Sequence, residues 1–313
     1  MGLTVLSLFD GISCGRLAFD KLGIKIERYY ASEIEPYAID IAKKNYPDII
    51  HIGDVTKIDF SKYKNVDIVI GGSPCQGFSF CGKRLEFKDD RSSLIKYFFE
   101  AVETIKPKYF FLENVKMRKE CSDYISERLG VEYINFDSKN VAACRRNRLY
   151  WTNLKFNEEN MYSRTISNIV DDYVDESYYL SDERKDRISF EQDGELYIKN
   201  AANKILQAKH GDGVILSRTF QTYAPLIHQQ SHCIRAQNPD DSGVVLFENG
   251  CWKIRKFTLN EMEKMFGLPV GYTLGNSERK SKMCIGNGWE LNTITRFFNC
   301  LKEEIIEGKN DNK

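Results

Sequence analysis

One cysteine of this chain stands in a sequence context suited to nucleophilic chemistry. Cys75 follows a proline within the segment GGSPCQG, residues 71–77, directly after the apolar run VDIVI. The glycines and the proline favour a sharp turn after a strand, which displays the thiol instead of packing it in an apolar face. The residues alone leave two interpretations open, a nucleophile and an ordinary structural thiol.

An acid and two arginines are further candidates for chemistry. Glu113 ends the apolar strand YFFLEN, where a carboxyl group is partly removed from water and suited to proton exchange. Arg146 and Arg148 occupy alternate positions, so in an extended chain they point to the same side. Two guanidinium groups on one side suit the recognition of a phosphate or a base. Solvated arginines on an edge strand are the alternative.

The residues after the first three predicted strands indicate a ligand that contains a nucleoside. Gly11 and Gly15 follow the run LTVLSLF and permit a tight turn with close backbone approach. Glu33 follows the second strand and suits ribose hydroxyl groups, while Asp54 follows the third and suits an adenine amino group. A capping role is the alternative for each acid. No phosphate-cradling lysine motif is present, so a nucleoside triphosphate is not expected.

The elements that must position these residues alternate between strand and helix over residues 1–153. This alternation predicts an α/β fold with a mostly parallel sheet, in which ligands bind beyond the carboxyl ends of the strands. Residues 154–255 are polar with few periodic segments and are predicted to form a smaller domain. Residues 256–305, opened by a capping box of Thr258 and Glu261, are predicted to return to the first domain. Residues 306–313 are predicted to be a frayed tail.

The composition bounds the function only weakly. The 313 residues carry 45 basic and 45 acidic side chains, a balance that is unusual for a nucleic-acid binder. Local basic clusters qualify this, and one of them contains Arg279, Lys280 and Lys282. No apolar run reaches the length of a membrane span, so we expect a cytoplasmic protein without a membrane partner.

A metal site is the remaining chemistry that the sequence raises. His228, His232 and Cys233 are close together, but no second cysteine pair completes a ligand set, so we predict no metal. The oligomeric state stays open.

The order of these motifs resembles the DNA cytosine-5 methyltransferases. The resemblance rests on FDGISCG, Glu33, GDV, GGSPCQGFSF, FLENV, the Arg-x-Arg before LYW, and TLNEMEKMFGLP. The variant FDGI, NVAACRRNRLYW and MFGLPVGYT look most like the catalytic domain of the vertebrate de novo enzymes, and we expect a bacterial or phage member. The chain departs from the usual pattern at Cys144, at Ser13-Cys14 and at Gly288, which affects the details of backbone contacts.

The resemblance implies a Rossmann-like S-adenosylmethionine-dependent methyltransferase sheet with a target-recognition domain at 154–255. It implies methyl transfer to C5 of a flipped-out cytosine in double-stranded DNA through a covalent adduct between Cys75 and C6, with S-adenosylhomocysteine as product. Glu113 would hold the N3 edge of the base and Arg148 its carbonyl, while Arg146 would help to fix base and backbone. The implied cofactor-binding residues are Phe9, Asp10, Gly11, Ile12, Cys14, Glu33, Ile34, Asp54, Val55, Pro74, Leu94, Asn287 and Trp289.

Three alternatives stay open at this point. A tRNA cytosine-5 methyltransferase would use the same scaffold, although about a hundred residues after the arginine pair favour DNA and the Cys-Phe-Thr tripeptide of that group is absent. A catalytically inactive DNA-binding homologue would not need Cys75, Glu113 and Arg148 together. A nicotinamide-dependent oxidoreductase would leave the Pro-Cys-Gln segment without a role. The target sequence, and membership of a restriction-modification system, also stay open.

Overall fold

The chain forms two compact units. The structure, a computed structural model, describes residues 2–74, 94–157, 164–199, 205–216 and 226–310. The first unit contains Met1–Asp137, Asn147–Glu159 and Thr293–Lys313, and the second contains Ser138–Arg146 and Asn160–Asn292. The stretch 256–305, predicted to return to the first domain, is therefore divided at Thr293, and the boundaries differ from those predicted from sequence.

The first unit is built on a seven-stranded sheet. In chain order the strands are β1 (Leu3–Leu8), β2 (Ile26–Ser32), β3 (Ile50–His51), β4 (Ile68–Gly71), β5 (Tyr109–Val115), β6 (Ile134–Asp137) and β7 (Asn147–Thr152). Their spatial order is β3-β2-β1-β4-β5-β7-β6. The first five strands pair in parallel, whereas β7 is antiparallel to both β5 and β6. The predicted α/β class with a mostly parallel sheet is confirmed.

Five helices accompany this sheet. They are α1 (Cys14–Lys21), α2 (Pro36–Asn45), α3 (Ile95–Ile105), α4 (Lys119–Leu129) and the last helix, α8 (Leu291–Asn310). The central strands β1, β4 and β5 are mostly apolar and buried, as expected for strands that are covered on both faces. The last helix runs to Asn310 and so extends into the stretch predicted to be a tail.

Aromatic side chains fill the core between α8 and the sheet. Phe298 stacks on Phe19 of α1 with ring centroids 4.5 Å apart, and Phe297 lies 5.2 Å from Phe111 of β5. The opposite side of β5 contributes Leu112 to a second apolar cluster that includes Phe98 of α3. Because successive side chains of a strand point to opposite faces, β5 packs against the apolar layers on both sides of the sheet. This packing fixes the position of the residues at its carboxyl end.

The second unit combines two small antiparallel sheets with three helices. One sheet contains β8 (Ser189–Gln192), β9 (Glu195–Lys199) and β10 (Ile205–Gln207), and the other contains β11 (Gly213–Ile215), β12 (Leu226–Ile227), β13 (Ser242–Glu248) and β14 (Cys251–Lys256). The helices are α5 (Asp182–Ile188), α6 (Leu259–Met265) and α7 (Glu278–Asn287). Among the described residues, no helix combines the length and the apolarity needed to cross a bilayer.

A buried ion pair joins α6 to β14 in the second unit. The guanidinium of Arg255 donates to both carboxylate oxygens of Glu261, at 2.7 and 2.6 Å, and both side chains are almost fully buried. Glu261 also completes the predicted capping box, because Thr258 N donates to it at 2.9 Å and Glu261 N donates to the Thr258 hydroxyl at 3.1 Å. These bonds explain why α6 belongs with the small sheets.

Candidate active site

Three loops of the first unit leave the sheet at one edge. Leu8 is in register with Ser32 and with Gly71, and Gly71 is in register with Leu112. Because these strands are parallel, the residues that follow them emerge at the same edge, where ligands of such sheets bind. The segments concerned are residues 9–15, 33–35 and 72–74, and they lie beside the last residues of β5, 113–115.

Glu113 forms an ion pair with Arg148 at this edge. Arg148 Nε lies 2.9 Å from Glu113 Oε1, and the two side chains are only 15% and 10% exposed. The pairing of β5 with β7 places them together, since Val115 is in register with Arg148 and Glu113 with Tyr150. The predicted acid and one of the two predicted arginines therefore meet, largely shielded from water.

Asn114 ties the segment before Cys75 to the end of β5. Its side-chain amide donates to the hydroxyl of Ser73 at 2.8 Å and to the carbonyl oxygen of Ser73 at 3.2 Å. Both residues are buried, and the Asn114 carbonyl oxygen accepts from Val115 N at 2.8 Å. Pro74 follows at an exposed position. Cys75 itself lies outside the described residues, as do the residues up to 93, so its role as nucleophile stays a prediction.

The loop after β1 has a specialised backbone. Phe9, Gly11 and Ser13 have φ values of 59°, 59° and 60°, and side chains other than glycine rarely occupy this left-handed region. The loop closes on Asp10, whose carboxylate accepts hydrogen bonds from the Tyr29 hydroxyl at 2.7 Å and from the Ser13 hydroxyl. Backbone strain of this kind is concentrated at functional sites, where the surrounding contacts maintain it.

Asp10 is an unusual acid. Burial raises its pKa to about 6, although hydrogen bonds from Ser13, Ser7 and Tyr29 act in the opposite direction, and the charge of Glu33 adds a further rise. The carboxylate therefore remains charged near neutral pH at a cost in stability, which the hydrogen bonds only partly offset.

Glu33 links the second strand to the first loop. One of its carboxylate oxygens accepts from Gly11 N at 2.8 Å, and the other accepts from the backbone N–H groups of Ile34 and Glu35, each at 2.8 Å. These three bonds hold the carboxylate in one orientation. Ile34 beside it is 70% exposed, and a side chain at Gly11 would meet no atom within 4 Å, so this corner borders open space.

Asp54 caps the 3₁₀ turn Val55–Lys57. It accepts a hydrogen bond from Thr56 N at 2.9 Å, and this bond lowers the pKa of Asp54 below its usual value. Val55 is buried, and the Ser32 hydroxyl donates to Gly53 O at 2.7 Å, which joins this turn to the end of β2. The predicted adenine acceptor therefore also has a local structural role.

Three further predicted cofactor residues lie in the same unit. Ile12 and Cys14 are buried at the start of α1, and Leu94 is half-buried immediately before α3. Ile12 and Cys14 belong to the buried core, and Leu94 packs against the apolar cluster that contains Phe98.

Comparisons with known proteins show a family match over part of the chain. Residues 3–124 match the family model described as C-5 cytosine-specific DNA methylase. The orphan methyltransferase M.Rho11sI of Bacillus phage rho11s is 31% identical over 59% of this chain and 47% of its own length. The type II methyltransferase M1.ScrFI of Lactococcus lactis subsp. cremoris is 27% identical over 97% of this chain and 79% of its own.

This chain resembles the C-5 cytosine-specific DNA methylases over residues 3–124, and the relatives that it matches include phage and bacterial methyltransferases. The chain spans about half of the length of the phage relative that it matches. A mutant of DNMT2 from Spodoptera frugiperda superposes with a TM-score of 0.68 at 18% identity, covering 96% of this chain and 99% of that one. At this identity the likeness establishes the shared fold and does not distinguish a DNA substrate from an RNA substrate.

The remaining predicted site residues lie in the second unit. Arg146 is buried and donates to the carbonyl oxygens of Gly286 and Gly288, at 3.2 and 2.8 Å, with its guanidinium 5.5 Å from the centroid of the Phe266 ring. Asn287 ends α7 at an exposed position and Trp289 follows it, half-buried. Arg146 and Arg148 thus belong to different units, and the roles of these three residues toward base and cofactor stay predictions.

Sequence reasoning missed the side chains that hold the methyltransferase loops in place. Asn114, Ser73 and Tyr29 each make a hydrogen bond that fixes a candidate site residue or the segment before it. The signal for Asn114 was present, since an amide directly after the strand-ending Glu113 emerges at the same edge. Tyr29 gave no such signal, because it lies in the middle of β2 and not at its carboxyl end.

The suspected metal ligands have other partners. His228 Nδ1 lies 2.7 Å from Oδ1 of the buried Asp212, which also accepts a hydrogen bond from Lys209 N. Within the part of the chain that the structure describes, no group of three or more His, Cys, Asp or Glu side chains is placed to hold a metal ion.

Proposed function

We propose that this protein is a DNA cytosine-5 methyltransferase that uses Cys75 as its nucleophile. The observation that carries the proposal is the arrangement at the end of β5. Glu113 pairs there with Arg148, and the adjacent Asn114 fixes Ser73, two residues before Cys75. An ion pair therefore holds the acid beside a guanidinium group, and buried hydrogen bonds hold the residues before Cys75 beside the same strand end.

The chemistry needs a nucleophile because C5 of cytosine does not attack a methyl donor unaided. Addition of the Cys75 thiolate to C6 forms a carbon–sulfur bond and moves the electrons of the C5–C6 double bond toward C5 and the N3 edge. C5 would then take the methyl group as the bond between that group and the donor sulfur breaks. Loss of the C5 proton to a base returns electrons to the ring, restores the C5–C6 double bond and expels the thiolate.

Glu113 suits the stabilisation of the activated ring. Arg148 occupies its Oε1, while Oε2 accepts no hydrogen bond from the described residues. That oxygen is available to the N3 and amino edge of a cytosine, where charge develops on thiolate addition. Arg148 orients the carboxylate, and its guanidinium suits the ring carbonyl. The target base must leave the helix to reach these groups, at a cost of roughly a few kcal/mol.

The residues at the ends of β1, β2 and β3 fit S-adenosylmethionine. Glu33 has a fixed carboxylate suited to ribose hydroxyl groups, Ile34 offers an exposed apolar side chain for a purine, and open space borders Gly11. The cofactor would supply a methyl group on a positively charged sulfur, leaving S-adenosylhomocysteine. Asp10 shapes the loop and holds its strained backbone beside that space.

Residues 154–255 are proposed to contain the elements that read the DNA target. The second unit presents polar loops on short strands, and such loops suit contacts with base edges.

Transfer of labelled methyl groups to duplex DNA tests the proposal. We expect wild-type protein to label DNA, Cys75→Ser to lose label transfer, and a duplex containing 5-fluorocytosine to trap a covalent adduct through Cys75. Cys251→Ser is the matched control, because Cys251 is a free and exposed thiol in the second unit. Label transfer that survives in Cys75→Ser contradicts the nucleophile assignment.

The same assay separates the alternatives. Labelling and trapping on tRNA but not on duplex DNA would establish the RNA enzyme on this scaffold. Binding of duplex DNA without labelling or trapping of any substrate would establish the inactive homologue.

A further inference from the structure

The second unit contains a polar cavity outside the candidate active site. Its volume is about 340 Å³. The residues that line it are Ser177, Tyr178, Asp240, Lys256, Glu278, Arg279 and Lys282. Two members of the basic cluster noted in the sequence, Arg279 and Lys282, line this cavity. Their contacts there differ, and the difference indicates which of them can bind a ligand.

Lys282 is committed to the interior of the protein. Its side chain is 3% exposed, and its ammonium lies 2.8 Å from Asp240 Oδ1, 2.8 Å from Glu278 Oε1 and 3.2 Å from Phe257 O. An ammonium group has three N–H donors, and these contacts use all three. Lys282 therefore neutralises the floor of the cavity and has no donor left for a ligand.

The carboxylate of Glu278 is also satisfied from within. Burial by itself raises the pKa of Glu278, but hydrogen bonds from Lys282 and from Tyr178 outweigh burial and hold the pKa below its usual value. Tyr178 donates its hydroxyl to Glu278 Oε1 at 2.8 Å. Glu278 is thus a paired anion, and the repulsion it exerts on an incoming anion is reduced.

Two cations at the cavity are left without such partners. Lys256 is the last residue of β14, and Arg279 is the second residue of α7. Neither the ammonium of Lys256 nor the guanidinium of Arg279 makes a hydrogen bond or an ion pair with the described residues. The first turn of α7 adds the partial positive charge of a helix amino terminus.

The charges of the lining residues favour an anionic ligand. Three cations face two carboxylates, and the carboxylates are bound to Lys282 and Tyr178. A guanidinium that offers paired donors beside a mobile ammonium suits a phosphate group with several oxygens. Building on the proposed function, we infer that Lys256 and Arg279 bind one backbone phosphodiester of the DNA duplex. Such a contact positions the second unit on DNA without reading sequence.

The test measures how salt affects binding to DNA. Affinity for a fluorescent duplex is measured between 50 and 200 mM salt for wild-type protein, Lys256→Gln, Arg279→Gln and the double variant. Each lost phosphate contact lowers the salt-dependent slope by about 0.9. The double variant loses one such contact, so over this fourfold range of salt its affinity should fall by about three- to fourfold less than that of the wild type. Lys199→Gln is the matched control, because Lys199 ends β9 and does not line the cavity.

A charge-retaining variant and an activity measurement complete the test. The double variant Lys256→Arg with Arg279→Lys should keep the wild-type slope, and the glutamine variants should unfold at the wild-type temperature. Methyl transfer at saturating DNA should be unchanged in the double glutamine variant, while the KM for DNA rises.

Two outcomes overturn the inference in distinguishable ways. If the double glutamine variant keeps the wild-type salt-dependent slope and the wild-type protein methylates DNA, the phosphate site is rejected while the proposed function stands. Wild-type binding that does not respond to salt rejects both the site and the DNA substrate.

Discussion

The side-chain amide of Asn114 donates to both the hydroxyl and the carbonyl oxygen of Ser73, which lies 41 positions earlier in the chain. This pair of bonds joins the end of β5 to the segment that enters Cys75. Because Asn114 is 1% exposed and Ser73 6%, water cannot replace the bonds at low cost. The position of Ser73, two residues before the proposed nucleophile Cys75, thus depends on the residue next to the candidate acid.

Replacement of Asn114 should therefore affect catalysis as well as stability. We expect Asn114→Ala to lower kcat about 10²-fold, since an error of about 1 Å in positioning has that effect, and to cost about 1–3 kcal/mol of unfolding free energy. Single-turnover methyl transfer and urea unfolding measure the two quantities.

Asn153 provides the matched control for Asn114. It accepts from Phe110 N at 3.0 Å and donates to Lys108 O at 2.9 Å, so it holds the opposite end of β5. Asn153→Ala should lose stability and keep kcat. Equal losses of kcat in both variants would show that the effect is general and would contradict the positioning role.

The ion pair of Glu113 with Arg148 leads to a prediction about kcat. Glu113→Gln keeps the shape but removes the charge, and we expect kcat to fall about 10²–10⁴-fold, the range for loss of a proton-transferring group. Steady-state methylation at saturating DNA and cofactor gives kcat. Glu103→Gln is the control, because Glu103 pairs with Arg128 at the exposed surface and should have no effect. Normal turnover by Glu113→Gln would exclude Glu113 from catalysis.

Burial of Asp10 predicts how stability changes with pH. Its pKa of about 6 in the folded protein exceeds the ordinary value of 3.8, so its contribution is complete below pH 3.8 and is lost as pH rises through 6. Relative to Asp10→Asn, the wild type should lose about 2–3 kcal/mol of unfolding free energy between pH 3.5 and pH 7.5, allowing for partial exposure. Urea unfolding at the two pH values measures this difference.

Asp59→Asn is a control in which the change of stability with pH should have the opposite sign. Hydrogen bonds from Ser61 lower the pKa of Asp59, so its contribution is present above the ordinary value and is lost as pH falls. The wild type should therefore gain stability relative to Asp59→Asn as pH rises. A difference that moves in the same direction for both variants would contradict the assignment at Asp10.

The first unit could be predicted from sequence because its signals are local. Apolar runs that end in glycine or an acid mark the strands, and parallel pairing brings their carboxyl ends together without further information. Glu113, Glu33 and the loop after β1 were found in this way. The last helix, which carries Phe297 and Phe298, shows the same kind of local signal, because its apolar residues recur at helical spacing.

The contacts that fix the site depend on sheet order, which no local pattern contains. The bond from Asn114 to Ser73 exists because β4 and β5 are neighbours, and the pair of Glu113 with Arg148 exists because β7 lies antiparallel beside β5. The basic cluster gave no sign that Lys282 would turn inward, since its partner Asp240 is 42 positions away. The sequence likewise left open whether Arg146 is solvated, because its acceptors in Gly286 and Gly288 lie 140 and 142 positions away.

The pair of Arg255 with Glu261 should govern the stability of the second unit. Glu261→Ala leaves a buried guanidinium without its partner and removes the cap of α6, so we expect a loss of about 3–5 kcal/mol of unfolding free energy. Chemical unfolding followed by circular dichroism measures the loss. Glu183→Ala is the control, because Glu183 pairs with Arg187 on exposed α5 and should cost about 0–1 kcal/mol. Equal costs for the two variants would mean that burial adds nothing, and the ion pair would then not explain why α6 belongs to the second unit.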